Sequence, residues 1–294
     1  MDKNYRQGII YGLGAYCLWG ILPVYWKLLQ EVPALEILAN RFIWSAVFVF
    51  FLLLATGKLK VFLSETASVF GTVKTAAAML AAAVAISFNW GIFIWAVEAG
   101  RIVETSMGYY INPLVSVLFG MIFLRERLDK LQLTAVICAV VGIVIMLVKN
   151  GSLPWVSVSL AVTFAFYALL KKIIPVSALT SIMLETLLIT PLALGYLYYL
   201  STFGNCSYQS GNWLTILVLI GAGAVTATPL LLFTGCAKLL PLKIVGFMQY
   251  LSPTISLFLG VFVYGESFTV THLLSFGCIW LGLLFFTWSQ IRLK

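Results

Sequence analysis

The stretch YINPLVSVLFGMIFLRERLDKLQLTAVICAVVG (110–142) recurs 140 residues later as YLSPTISLFLGVFVYGESFTVTHLLSFGCIWLG (250–282). Tyr110, Pro113, Ser116, Gly120, Glu126, Leu133, Cys138 and Gly142 fall on Tyr250, Pro253, Ser256, Gly260, Glu266, Leu273, Cys278 and Gly282. Upstream, after a two-residue slip, Ala99 and Gly108 fall on Ala237 and Gly246. Leucine and valine identities between apolar segments arise cheaply by chance. Proline, glycine and glutamate in fixed register do not, so the chain reads as an internal duplication.

The medium in which this duplication folds follows from composition. The 294 residues are 62% hydrophobic and 10% charged, with a mean hydropathy of +1.05. A soluble domain carries roughly a quarter charged residues, so this chain falls outside that class. A helix needs about 20 apolar residues to cross a hydrocarbon core about 30 Å thick. On that length, spans fall near 8–27, 34–55, 74–97, 103–124 and 130–148, then near 154–172, 178–200, 212–237, 243–263 and 269–290. Only the connections 56–73 and 201–211 hold more than a turn. The expected fold is an all-α integral membrane protein of ten transmembrane helices, in two five-helix repeats over 1–150 and 151–294.

The 140-residue shift equates span four with span nine and span five with span ten. A repeat with an odd number of crossings enters the membrane from the opposite side, so the halves are inverted. Inverted repeats are a transporter architecture, with a site near the midplane at the repeat interface that opens to each side in turn.

Orientation follows from lysine and arginine. With the N-terminus in the cytoplasm, the inside segments hold 14 of the 18 basic residues, Lys171 and Lys172 among them. The outside ends hold Lys27, Arg101 and Lys149, and Arg41 lies within a span. Basic residues in short loops set topology, which places both termini in the cytoplasm. The net charge of +8 is spread over short loops rather than one solvated face, so no nucleic-acid partner is expected. The start, MDKNYRQ, runs into an apolar stretch without a small-residue cleavage site and reads as a retained helix.

Candidate site residues cluster where the membrane makes polarity costly. Pro113 and Pro253 sit midway along their spans, where each removes an amide and kinks its helix. Beside them stand Tyr110 and Asn112 on one helix and Gln249 and Tyr250 on the other. Arg41 lies seven residues into span two, about 10 Å below the interface by helical rise. A cation there demands a carboxylate or a wet cavity. Glu36, Glu98 and Glu104 lie at the same outer ends and are gate candidates beside Arg41. Glu185 is a proton-coupling candidate. Trp19, Asn89 and Trp90, near mid-span, suit the lining of a cavity for a flat or amphipathic solute.

No HExxH, GxSxG or P-loop is present, and no aspartate lies within a span, so neither an intramembrane hydrolase nor direct ATP coupling has its parts. The single histidine, His272, has no metal-ligand partner at helical spacing, and the five cysteines are scattered. Neither a metal nor a cofactor is expected. Cys206 stands alone in a polar outside loop, open to a membrane-impermeant thiol reagent.

AYCLWGILPVYWK (15–27), EILANRFIWS (36–45), NWGIFIWAVEAGRIVETSMGYYINPL (89–114), the RER loop around Glu126, and GFMQYLSPT (246–254) resemble the RarD type of EamA-domain permeases. These belong to the drug/metabolite transporter superfamily. The resemblance implies two five-helix EamA repeats, a central cavity and the inner membrane of a bacterium. It carries a link to chloramphenicol sensitivity without fixing a substrate. The pattern often has histidine before the span-two arginine, where this chain has Asn40, which removes the basis for a proton role there.

The expected activity is secondary transport, by export, of a small organic solute, drug or metabolite, with a coupling ion and the lipid bilayer as partners. A lipid-modifying membrane enzyme and a non-transporting sensor or assembly factor are the other readings. The enzyme would need an acid–base pair at one face, for which Glu36, Glu98 and Glu104 are the only candidates.

Overall fold

The computed structural model describes residues 3–99, 102–150, 155–204, 206–209, 211–263 and 270–292. The backbone at Glu98 and Glu104 is helical, but their side chains lie outside the described residues. Twelve α-helices are seen among those residues. They are α1 (Lys3–Trp26), α2 (Ala34–Ala55), α3 (Leu59–Phe70), α4 (Val73–Glu98), α5 (Ile102–Leu124), α6 (Lys130–Asn150), α7 (Trp155–Ile173), α8 (Ala178–Phe203), α9 (Trp213–Leu239), α10 (Leu242–Gln249), α11 (Leu251–Phe262) and α12 (Val270–Arg292). Among the described residues nine helical segments are long and apolar enough to cross a membrane, the α10–α11 pair counting as one. The shorter apolar helix Lys130–Ile145, in α6, supplies the tenth.

Lipid chains are as apolar as leucine, so the buried face of such a helix is marked by small and polar residues rather than by hydrophobicity. In α1, Gly8, Gly12, Ala15, Tyr16 and Gly20 are buried, while Ile10, Leu13, Leu18 and Ile21 face outward. The packing follows the register of the duplication. α7 packs on α5 and α4, as α1 packs on α11 and α9. α2 packs on α9 as α8 packs on α4, and α2·α8 and α6·α12 pair across the repeats.

The α6·α12 seam shows the symmetry at atomic scale. A Cβ on Gly142 would lie 2.6 Å from the Ser275 carbonyl oxygen, and one on Gly282 would lie 2.8 Å from that of Ala135. Both glycines and both carbonyls are mates in the 140-residue register. Each helix needs glycine where its partner's backbone passes.

Four features differ from the sequence expectation. The first span begins at Lys3 rather than near residue 8. The 56–73 connection folds as α3, whose Glu65 accepts from Ser177 N (2.9 Å) and the Ser177 hydroxyl (2.7 Å), tying it to the start of α8. Span nine is two helices broken at Tyr250, whose amide reaches back to Phe247 O at 3.3 Å. Lys171, expected in an inside loop, is fully buried within the bundle. Its neighbour Lys172 donates to Ala237 O (3.2 Å) and Leu240 O (2.5 Å) at the end of α9, and Lys238 returns a bond to Ile174 O (2.6 Å) just past α7. These lysines satisfy helix-end carbonyls that have no partner within their own helix.

Candidate functional site

α2, α4, α8 and α9 are two symmetry-related pairs, and between them lies a small pocket with room for about one water molecule. Phe42, Ser45, Ile86, Trp90, Ile182, Glu185, Thr186, Thr226 and Leu230 line it. α2 places Arg41 beside it, against two of its lining residues. Its Nε donates to Thr226 Oγ1 at 3.0 Å, and its guanidinium lies 4.0 Å from the Trp90 ring centre and 4.9 Å from that of Trp26. The ring faces offer negative potential to a cation held out of bulk water.

Glu185 is part of the lining. Its carboxylate accepts from Tyr167 (3.0 Å), from Ser181 (3.1 Å) and from Lys171 Nζ, which also donates to Ser181 Oγ at 2.8 Å. The pocket therefore has a cation beside it and an ion-paired carboxylate in its wall.

Glu36 is fully buried and does not reach this cavity. Its carboxylate accepts from Ser207 N (2.8 Å), the Ser207 hydroxyl (3.0 Å) and the Cys206 thiol (3.5 Å), all in the connection between α8 and α9. Tyr208 of the same connection donates to Asn40 Oδ1 (2.5 Å) and accepts from Trp44 Nε1 (2.9 Å). A strap, 206–209, is thus latched across the end of α2. Burial pushes the Cys206 thiol and the Tyr208 phenol up from their ordinary values, helped in both cases by the nearby Glu36 carboxylate. Cys206 is only 5% exposed, which corrects the expectation of an open thiol.

The remaining candidates fall into a second, packed group. Tyr110, Asn112, Gln249 and Tyr250 meet where α5 crosses α10 and are buried. Tyr250 donates to Tyr110 O at 3.3 Å, Asn112 donates to Ala161 O at 3.4 Å, and Ser116 bridges Asn112 and Gln249 at 3.3 and 3.2 Å. α5 runs unbroken through Pro113, whereas its mate breaks three residues before Pro253. Asn89 binds Leu160 O and Thr163 Oγ1, both at 2.8 Å, holding α4 to α7. Trp19 sits in an aromatic cluster with Tyr16, Phe164 and Phe233. Of the eight substrate-binding candidates, Trp90 lines the cavity and Arg41 adjoins it through Trp90 and Thr226. Sequence reasoning missed Phe42, Ser45, Thr226 and Lys171. Ser45 stands four residues after Arg41 and three after Phe42, helical spacings that signal a shared face.

A ten-span, internally duplicated bundle with a buried arginine and an ion-paired carboxylate beside a central pocket defines a membrane transporter. Residues 6–148 match the EamA-like transporter family. The chain is 45% identical over 289 residues to the uncharacterized transporter YojE of Bacillus subtilis, covering 98% of this chain and 96% of that one. It is 41% identical over 294 residues to the protein RarD of Escherichia coli, covering 98% and 96%. A chloramphenicol-sensitive protein RarD of Pseudomonas aeruginosa is 32% identical over 288 residues, with 98% and 95% covered. The chain belongs to the EamA-like transporter family, alongside its RarD members. A solved crystal structure matches with a TM-score of 0.69 over 95% of this chain and 96% of the other, at 17% identity, a likeness of fold alone.

Proposed function

We propose that this protein is a secondary transporter that exports a small organic solute from the cytoplasm by alternating access, in a bacterial inner membrane with both termini inside. The observation that carries this reading is Arg41, held by Trp90, Trp26 and Thr226 beside a small pocket between symmetry-related helices. The pocket has room for about one water molecule, so a solute enters only when the helices around it move apart. A planar guanidinium stacked on indoles suits a carboxylate or phosphate on a flat solute. Glu36, Asn40 and Tyr208 form the outer gate, through the strap at residues 206–209. The crossing of α5 and α10 at Tyr110 and Tyr250 is the pivot, with Pro113 and Pro253 as its flexible points. An enzyme acting on lipid loses support, because the Glu36 carboxylate is consumed by the strap.

A thermal-shift panel of organic acids, amino acids, nucleosides and chloramphenicol on the purified protein tests this reading. A binder at 100 times its Kd stabilises by about 2.7 kcal/mol, and the best binder is then measured for counterflow in proteoliposomes. Arg41→Ala is expected to abolish both responses while the protein stays folded and inserted. Retention of both by Arg41→Ala would show that the solute does not use this cavity.

A further inference from the structure

α7 and α8 are consecutive helices, yet their backbones scarcely touch. Side chains join them. Lys171 of α7 is fully buried and gives its ammonium to Glu185 and Ser181 of α8, while Tyr167 of α7 donates to the other oxygen of Glu185. Glu185 alone of this group faces the cavity, with Lys171 behind it. Only the carboxylate is reachable from the solute path.

A buried ion pair contributes little net stability, but neutralising one partner leaves the other charge buried without compensation, which is strongly destabilising. Protonating Glu185 therefore favours a rearrangement that brings water to Lys171. The charged groups around the pair are Lys172 on α7, Lys238 on α9 and Glu65 on α3 at one end, with Arg41 on α2 beside the pocket. From α4, Ile86 and Trp90 face the cavity and do not titrate in this range.

Building on the transport reading above, we propose that Glu185 is the proton-binding site that couples transport to the pH gradient, with Lys171 as its built-in counter-ion. A proton from cavity water bonds to the Lys171-facing oxygen, and the ionic contact breaks. Lys171 keeps its three protons and its bond to Ser181, and Glu185 keeps the Tyr167 bond. α7 then loses its ionic link to α8, so proton uptake loosens the α7–α8 seam.

Difference infrared spectroscopy on the purified protein, with no solute, tests this. Stepping from about pH 8 to about pH 4, across the ordinary carboxyl range, should raise a protonated-carboxyl C=O band that Glu185→Gln lacks. Lys171→Met, which removes the counter-ion, should change the pH dependence of that band. Lys171→Met/Glu185→Gln is the folding control, with neither charge stranded. The reaction rate of a thiol introduced by Ser45→Cys, on the pocket wall, corrected for its thiolate fraction, should rise several-fold toward the acid end only when Glu185 is present. Absence of a Glu185-dependent band over that range, or a thiol rate blind to Glu185, overturns the proposal. Solute-induced thermal shifts and counterflow would survive that failure, whereas the infrared band would survive failure of the transport reading.

Discussion

Glu36→Gln tests the strap most directly, because Cys206 is a reporter already in place. The carboxylate holds residues 206–209 through Ser207 N at 2.8 Å and the Ser207 hydroxyl at 3.0 Å, with the Cys206 thiol at 3.5 Å. Hydrogen bonds to a charged group contribute about 1.5–3 kcal/mol each, against about 1 kcal/mol for neutral ones. Glutamine keeps one acceptor for Ser207 N and turns the other end into a donor, so opening should become easier by about 1.5–3 kcal/mol. At 1.4 kcal/mol per decade, Cys206 should react roughly ten- to a hundredfold faster with a membrane-impermeant maleimide on intact cells. Removing the carboxylate also removes one of the influences that raise the thiol pKa, burial being the larger, and this alone favours thiolate. A pH series separates the two effects: a lower pKa moves the midpoint of the rate profile, while opening lifts the high-pH plateau. An unchanged plateau in Glu36→Gln would refute the latch, and labelling that appears only after lysis would invert the topology.

Two other substitutions bear on the helix ends. Glu126 accepts from the amides of Leu242 (2.6 Å) and Lys243 (2.8 Å), so it caps α10 from another helix pair; Glu126→Ala should cost about 2–4 kcal/mol, read as a lowered melting temperature, with Glu126→Gln intermediate. Pro253→Ala restores an amide near the break at Tyr250 and should slow counterflow severalfold more than Pro113→Ala, whose helix is already continuous; equal effects would remove the break from the mechanism.

Much of the architecture was written in the chain because membrane burial makes certain residues informative. Prolines and glycines repeating at 140-residue spacing exposed the duplication, and the α6·α12 contact explains why Gly142 and Gly282 had to repeat. Arg41 was legible because a guanidinium in hydrocarbon must find company, although its company is two indoles and a threonine rather than Glu36. Lys171 was hidden, since a lysine next to a predicted helix end reads as a loop charge, and its partner Glu185 sits 14 residues on, beyond any spacing within one helix. The strap was hidden for a similar reason: Tyr208 and Asn40 are 168 residues apart and neither is unusual alone. α3 escaped notice because a span search rewards long apolar runs, and this helix has 12 residues.

Arg41 and Glu185 stand at equivalent places in the two halves. α2 begins at Ala34 and α8 at Ala178, so Arg41 and Glu185 each lie seven residues past the first residue of their helix. The helices are mates in opposite orientation, which sets the two residues at similar depths from opposite faces. The backbone treats these positions alike, but the sequence gives one a guanidinium and the other a carboxylate with its own lysine. In an exact repeat the two openings would be chemically interchangeable, and bound solute and protons would meet the same site from either side. In the proposed cycle Arg41 holds an anionic group of the solute while Glu185 exchanges a proton. On that reading the duplication supplies two access states, and the departure from it at Arg41 and Glu185 makes those states respond to different ligands. Symmetry of backbone with asymmetry of charge is what a gradient-driven cycle requires, because a gradient can bias only states that differ in what they bind.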